Sequence, residues 1–156
     1  MKVIFLDIDG VLNSDAYDHE RDRTVQGNID VTRLPLLRRI VEATGAKIVL
    51  TTSWRRHWDP DPRKLDDVGR ELVEILGSVG LSVWDKTPDY DGYNRDCEVR
   101  DWLKAHEGEV EGFVILDDIR WGWGELNAHL VLTSPRLGRG LMESHVADAL
   151  CILGGQ

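Results

Sequence analysis

The chain has little cysteine, no long apolar run and no excess of positive charge, and each absence removes a class of protein. Cys97 and Cys151 are the two cysteines, in neither a Cys-x-x-Cys nor a zinc-type spacing, so a disulfide framework is excluded and reduced thiols in a cytoplasmic setting are expected. The five histidines, His19, His57, His106, His129 and His145, include no pair at a spacing typical of a metal ligand set. No apolar run approaches the ~18 residues of a membrane-spanning helix. Lys2 followed by Val3-Ile4-Phe5-Leu6 has a superficial likeness to a leader, but Asp7 and Asp9 cut the run short and no small-residue cleavage site follows. With 19 basic against 28 acidic side chains the formal charge is −9, so the surface as a whole repels polyanions and any anionic ligand must be drawn in locally.

What is present is an ordinary globular composition. The 156 residues are 42% hydrophobic and 30% charged, which suits one soluble domain over residues 1–156. Val3-Ile4-Phe5-Leu6, Lys47-Ile48-Val49-Leu50, Leu81-Ser82-Val83-Trp84, Phe113-Val114-Ile115-Leu116 and His129-Leu130-Val131-Leu132 read as short strands. Between them lie segments with helical spacing. Leu34, Leu37, Ile40 and Val41 form one face, capped by Thr32 and stopped by Gly45; Leu65, Val68, Leu72, Val73 and Leu76 form a second, closed by Gly77. Val99, Trp102 and Leu103 mark a third within Arg95 to His106, and Met142 to Leu153 a fourth. Ser14 to Asp30 is polar and irregular. This alternation predicts an α/β fold, a Rossmann-like central parallel sheet with helices on both faces, in which ligands bind beyond the carboxyl ends of the strands. Asp7, Thr52 and Asp117 would gather there.

Asp7-Ile8-Asp9-Gly10 places two carboxylates at i and i+2, a spacing that can aim both to one side of an extended segment, and Gly10 permits a sharp exit. Asp117-Asp118, ending another apolar strand, adds two oxygen donors. Their mutual repulsion calls for a cation, and hard oxygen ligands without Cys or His favour Mg²⁺. Either pair alone is as readily a polar strand end.

Asp7-Ile8-Asp9-Gly10-Val11-Leu12-Asn13, Leu50-Thr51-Thr52-Ser53 and Ile115-Leu116-Asp117-Asp118 resemble, in order, the first, second and fourth motifs of the haloacid dehalogenase superfamily. Thr52-Ser53-Trp54-Arg55, followed by Arg95 before Glu98-Val99 and Trp102-Leu103, is similar to the small branch also found attached to multidomain RNA-repair proteins. The resemblance covers nearly the whole chain. It implies a Mg²⁺-dependent phosphomonoesterase in which Asp7 attacks phosphorus as the nucleophile and Asp9 is the general acid and base. Asp7, the Asp9 backbone carbonyl and Asp117 would hold Mg²⁺, with Asp118 a further or water-mediated ligand. Thr52 would bind a phosphate oxygen, with Thr51 or Ser53 in its place if the strand end is displaced by one residue. The cation of the third motif is Arg95 or Lys86, and Arg95 matches its position better although the superfamily more commonly uses Lys. A slow or non-catalytic phosphate- and metal-binding module is the alternative; phosphoproteins and small metabolites are alternative substrates.

Six tryptophans are many for this length, and Trp54, Trp58, Trp121 and Trp123 flank the second and fourth motifs. Packing around a small core explains them more simply than stacking on a base. Arg55, Arg56 and His57 read either as substrate contacts or as a solvated turn, and Asp66-Asp67 as a solvated helix face. Neither interval in which the superfamily inserts a cap is long enough for a folded one, so the site should be open. Residues 55–64 carry four basic and two acidic side chains, a local +2 that would suit a phosphorylated nucleotide or nucleic-acid end.

Overall fold

The apolar run after Met1 is buried on both faces, which only a central strand of a covered sheet permits. In the computed structural model, which describes residues 1–14, 28–91, 94–136 and 138–154, this run is β1 (Lys2–Leu6) at the middle of a five-stranded sheet. β2 (Lys47–Leu50), β3 (Val83–Lys86), β4 (Gly112–Asp117) and β5 (Leu130–Leu132) complete it in the order β3-β2-β1-β4-β5, with every pairing parallel. Among the described residues three α-helices lie between strands, α1 (Leu34–Thr44), α2 (Asp67–Gly77) and α3 (Arg95–Ala105), and α4 (Glu143–Leu153) follows β5.

Strand alternation divides the core in two. Ile4, Leu6, Ile48, Leu50, Val114 and Leu116 face the buried stripes of α1, α2 and α4, while Val3, Phe5, Val49 and Ile115 face Val99 and Trp102 of α3 together with Trp123. The expected α/β architecture is therefore present, with helices on both faces. Among the described residues no folded cap covers the carboxyl edge, and no helix is long and apolar enough to cross a membrane. Both cysteines are free and exposed.

Three expected boundaries shift. The chain enters α1 through a 3-10 turn, Val31–Arg33, capped by the Asp30 carboxylate rather than by Thr32, because Pro35 has no N–H to offer at the start of the helix proper. β3 begins at Val83, two residues after the expected Leu81, which is buried in the preceding loop. Asp66 is exposed, as expected, but stands ahead of the helix as the N-cap of α2, its carboxylate accepting the Gly69 N–H at 2.8 Å.

Candidate active site

Parallel register brings the functional residues to one edge. Leu6 pairs with Leu50 and with Leu116, so the residues that follow, Asp7, Thr51 and Asp117, leave adjacent strands side by side. The ladder continues past the strand ends, with the Asp7 N–H donating to the Leu116 carbonyl and the Thr51 N–H to that of Leu6, both at 3.0 Å. Gly10 then turns the chain at φ +82°, and a side chain there would strike the Asp118 carboxylate. Its lack of Cβ thus serves both the left-handed turn and the approach of Asp118.

Carboxylate oxygens of Asp7, Asp117 and Asp118 lie within 4.8 Å of one another, the first two buried. Asp7 Oδ1 accepts the Ile8 N–H at 2.9 Å and Asp117 Oδ1 that of Ile119 at 2.8 Å, which fixes both groups. The Arg95 guanidinium bridges their other oxygens, at 3.0 Å from Asp7 Oδ2 and 2.5 Å from Asp117 Oδ2. Burial first, then the neighbouring Asp117 charge, pushes the Asp7 carboxyl well above its usual range, and Arg95 only partly opposes this. Burial and Asp117 raise Asp118 as well. Burial disfavours the Arg95 charge, yet the two carboxylates outweigh it and hold the guanidinium protonated.

Asp9 is exposed and its carboxylate stands outside that cluster. Asn13 Nδ2 donates to its Oδ1 at 3.0 Å and the Trp54 indole N–H to its Oδ2 at 3.2 Å, while Asn13 Oδ1 accepts the Gly10 N–H at 2.8 Å. Asn13 and Trp54 are positioning residues that the sequence reading did not assign. Asn13 lies inside the first motif and was within reach of it; the Trp54 contact spans 45 positions and left no sequence signal.

Thr51 and Thr52 are both fully buried where β2 ends. Thr52 Oγ1 accepts the Trp54 N–H at 3.3 Å and keeps its proton to donate, whereas Thr51 Oγ1 has no partner among the described residues. Ser53 is exposed at the start of the 3-10 turn Ser53–His57. Lys86 does not join the carboxylates: its Nζ donates to the carbonyls of Arg55 and Trp58 at 3.1 and 2.5 Å. Arg55 turns inward instead of toward solvent, donating to the Thr51 carbonyl at 2.8 Å and pairing with Glu98 and Asp89, each at 2.9 Å. Arg56 pairs with Asp89 and Asp91, and Arg63 with Asp61. The local charge counted over residues 55–64 is therefore largely neutralised by partners, several of them outside that segment.

A family model described as the HAD domain in Swiss Army Knife RNA repair proteins matches residues 3–146. The chain belongs to this family. The family lies within the haloacid dehalogenase superfamily of hydrolases and phosphatases, whose members generally use Mg²⁺. No curated protein and no solved structure gave a match. The donor set fits the metal of this HAD family: three carboxylates and no nitrogen or sulfur ligand form a hard site, and the raised affinity of Asp7 and Asp118 for protons marks negative charge in need of a cation.

Proposed function

We propose that the protein is a phosphomonoester hydrolase working through an aspartyl-phosphate on Asp7, with the end phosphate of a nucleotide or nucleic acid as substrate. The observation that carries this reading is the division of labour among carboxylates: Asp7 is buried against Arg95, while Asp9 stands apart, held by Asn13 and Trp54. Binding phosphate alone would need no second oriented carboxyl group. Asp7, Asp117, Asp118 and the Asp9 carbonyl would hold Mg²⁺, which supplies charge neutralisation at the phosphoryl oxygens.

Asp7 forms a bond to phosphorus as the P–O ester bond breaks, and the leaving oxygen takes the Asp9 proton. A water then loses a proton to Asp9 and attacks phosphorus, freeing Asp7 and inorganic phosphate. Arg95 stabilises charge on the transferring group, and the Thr52 hydroxyl donates to one of its oxygens. An edge with no cap over it among the described residues suits a phosphate projecting from a large body, and the RNA-repair setting in which this family is described favours a nucleic-acid end.

The test is Asp7→Asn, nearly isosteric but a poor nucleophile. It should abolish turnover of p-nitrophenyl phosphate and phosphorylated oligonucleotides with Mg²⁺ while the melting temperature stays equal or rises, since a raised carboxyl is removed. Wild-type turnover in this variant would exclude the covalent route. An inactive wild type that still binds phosphate and metal would favour a binding module.

A further inference from the structure

Asp118 also lines a concavity whose other residues the chemistry above leaves unused. This cleft of about 560 Å³ lies between the segment after β5 and the start of α4, and Arg120, Arg136 and Arg139 line it with Ser134 and His145. All three arginines are exposed, and among the described residues none takes part in an ion pair. That contrasts with the turn at 55–64, whose arginines are paired with carboxylates. In a chain of net charge −9, three guanidinium groups around one cleft with no carboxylate partner among the described residues make a local anion trap, and their forked donors match phosphate oxygens.

A second feature follows Arg120 in the chain. Trp121, next to Arg120 in the loop that follows Asp117-Asp118, is 80% exposed, whereas Trp58 and Trp123 are buried in the core. So open a ring adds little to folding and offers a face on which a base can stack.

We propose that the cleft is a subsite for a second phosphate of the substrate: the phosphodiester next to the scissile end of a nucleotide chain binds Arg120, Arg136 and Arg139, with a base against Trp121. This rests on the phosphomonoesterase reading and adds to it the part of the substrate that the reacting centre does not touch. Asp118 joins the two regions, so a chain whose terminal phosphate reaches Asp7 carries its next phosphate toward the arginines. An acidic phosphopeptide would supply charge but neither the tetrahedral oxygens of a second phosphate nor a base.

Two measurements on the full chain separate this inference from the reading beneath it. Fluorescence anisotropy without Mg²⁺, using a labelled, end-phosphorylated single-stranded hexanucleotide, reads the cleft without turnover. Arg136→Ala/Arg139→Ala should weaken binding at least tenfold and make the slope of log affinity against log salt shallower by about 0.7, the value for the one single-strand phosphate that the cleft holds. Arg136→Gln/Arg139→Gln, which keeps side-chain bulk, should do the same, and Trp121→Ala should weaken binding without changing the slope. Unchanged affinity and slope, or equally tight binding of an acidic phosphopeptide of matching charge, would overturn the subsite. Hydrolysis of p-nitrophenyl phosphate with Mg²⁺ reads the centre: its absence in the wild type overturns the phosphatase reading and leaves the cleft to be decided by anisotropy. Where turnover occurs, the ratio of kcat/KM for the oligonucleotide to that for p-nitrophenyl phosphate should fall at least tenfold in the double variant; an unchanged ratio would overturn the subsite.

Discussion

Replacing Glu98 should cost more stability than any substitution at the exposed rim of the site, and the reason is Arg55. Glu98 and Arg55 have side chains only 1% and 6% exposed, paired at 2.9 Å, with Asp89 sharing the same guanidinium nitrogen and the Tyr90 N–H donating to the same Glu98 oxygen. Removing one member of a buried pair typically costs about 3–5 kcal/mol, since the other charge is left without compensation. Asp89 remains to pair with Arg55, which places Glu98→Ala near the lower end, about 3 kcal/mol. For a chain of this size, at about 2–4 °C per kcal/mol, the melting temperature should fall by roughly 6–12 °C. Glu98→Gln keeps the acceptor oxygen and should lose less. The double variant Arg55→Met/Glu98→Leu removes both charges and should recover much of the loss, so a double-mutant cycle in urea unfolding measures the coupling directly. Because Arg55 also holds the Thr51 carbonyl, Arg55→Ala should lower kcat together with stability. If instead Arg55→Ala leaves the unfolding midpoint unchanged and only raises KM, Arg55 is a substrate contact and the reasoning fails.

Arg95→Ala should lower kcat by about 10²–10³, as loss of one preorganised donor does, whereas Lys86→Ala should act mainly on stability by freeing the carbonyls of Arg55 and Trp58; steady-state kinetics beside thermal melting would show the reverse if the assignment is wrong. Thr51→Val removes a buried hydroxyl that has no partner among the described residues and should be neutral or stabilising, while Thr52→Val removes a cap of about 1 kcal/mol and, with it, the hydroxyl proposed to hold phosphate; the variant with the larger rise in KM identifies the phosphate ligand. His145 accepts the Met142 N–H through Nδ1 at 3.0 Å, and burial holds its imidazole below the usual range against the opposing Asp148 charge and Leu132 carbonyl. A depressed folded pKa means that this stabilisation is present above the unfolded value near 6.5 and lost as pH falls; the gap between wild type and His145→Ala, about 1 kcal/mol at pH 8, should close toward pH 5.

The strands and the three acidic and hydroxyl motifs were legible because each is a continuous apolar run ending abruptly in polar residues, a pattern that parallel register then converts into proximity. Arg95 was legible from its place at the start of a helix. Arg55 was not: Arg55-Arg56-His57 looks like one basic turn, and nothing local says that the first member turns inward, since the partner that draws it in, Glu98, lies 43 positions away. The same holds for Trp54, which packs against the core as expected but also donates its indole N–H to Asp9. Counting charge along residues 55–64 also misled, because neutralisation by Asp89, Asp91 and Glu98 is a property of the fold. Leu81 showed that burial alone does not make a strand.

The carboxylate edge is a poor device for stability, and that bears on what it is for. Asp7 and Asp118 are each driven toward the protonated state by burial and by Asp117. Groups with raised folded pKa values favour the fold at low pH, and that contribution is lost as pH rises through those values, so near neutrality the cluster works against the folded state. Arg95 offsets about one of its charges, and the backbone N–H groups of Ile8 and Ile119 hold two of its oxygens. Apolar residues at the same strand ends would avoid the repulsion altogether, as buried ionic groups replaced by well-packed apolar ones often show. What the arrangement supplies in exchange is a desolvated carboxylate beside a fixed cation, with a second, separately held carboxylate at the mouth; under the proposed mechanism these would serve phosphoryl transfer, and folding requires neither.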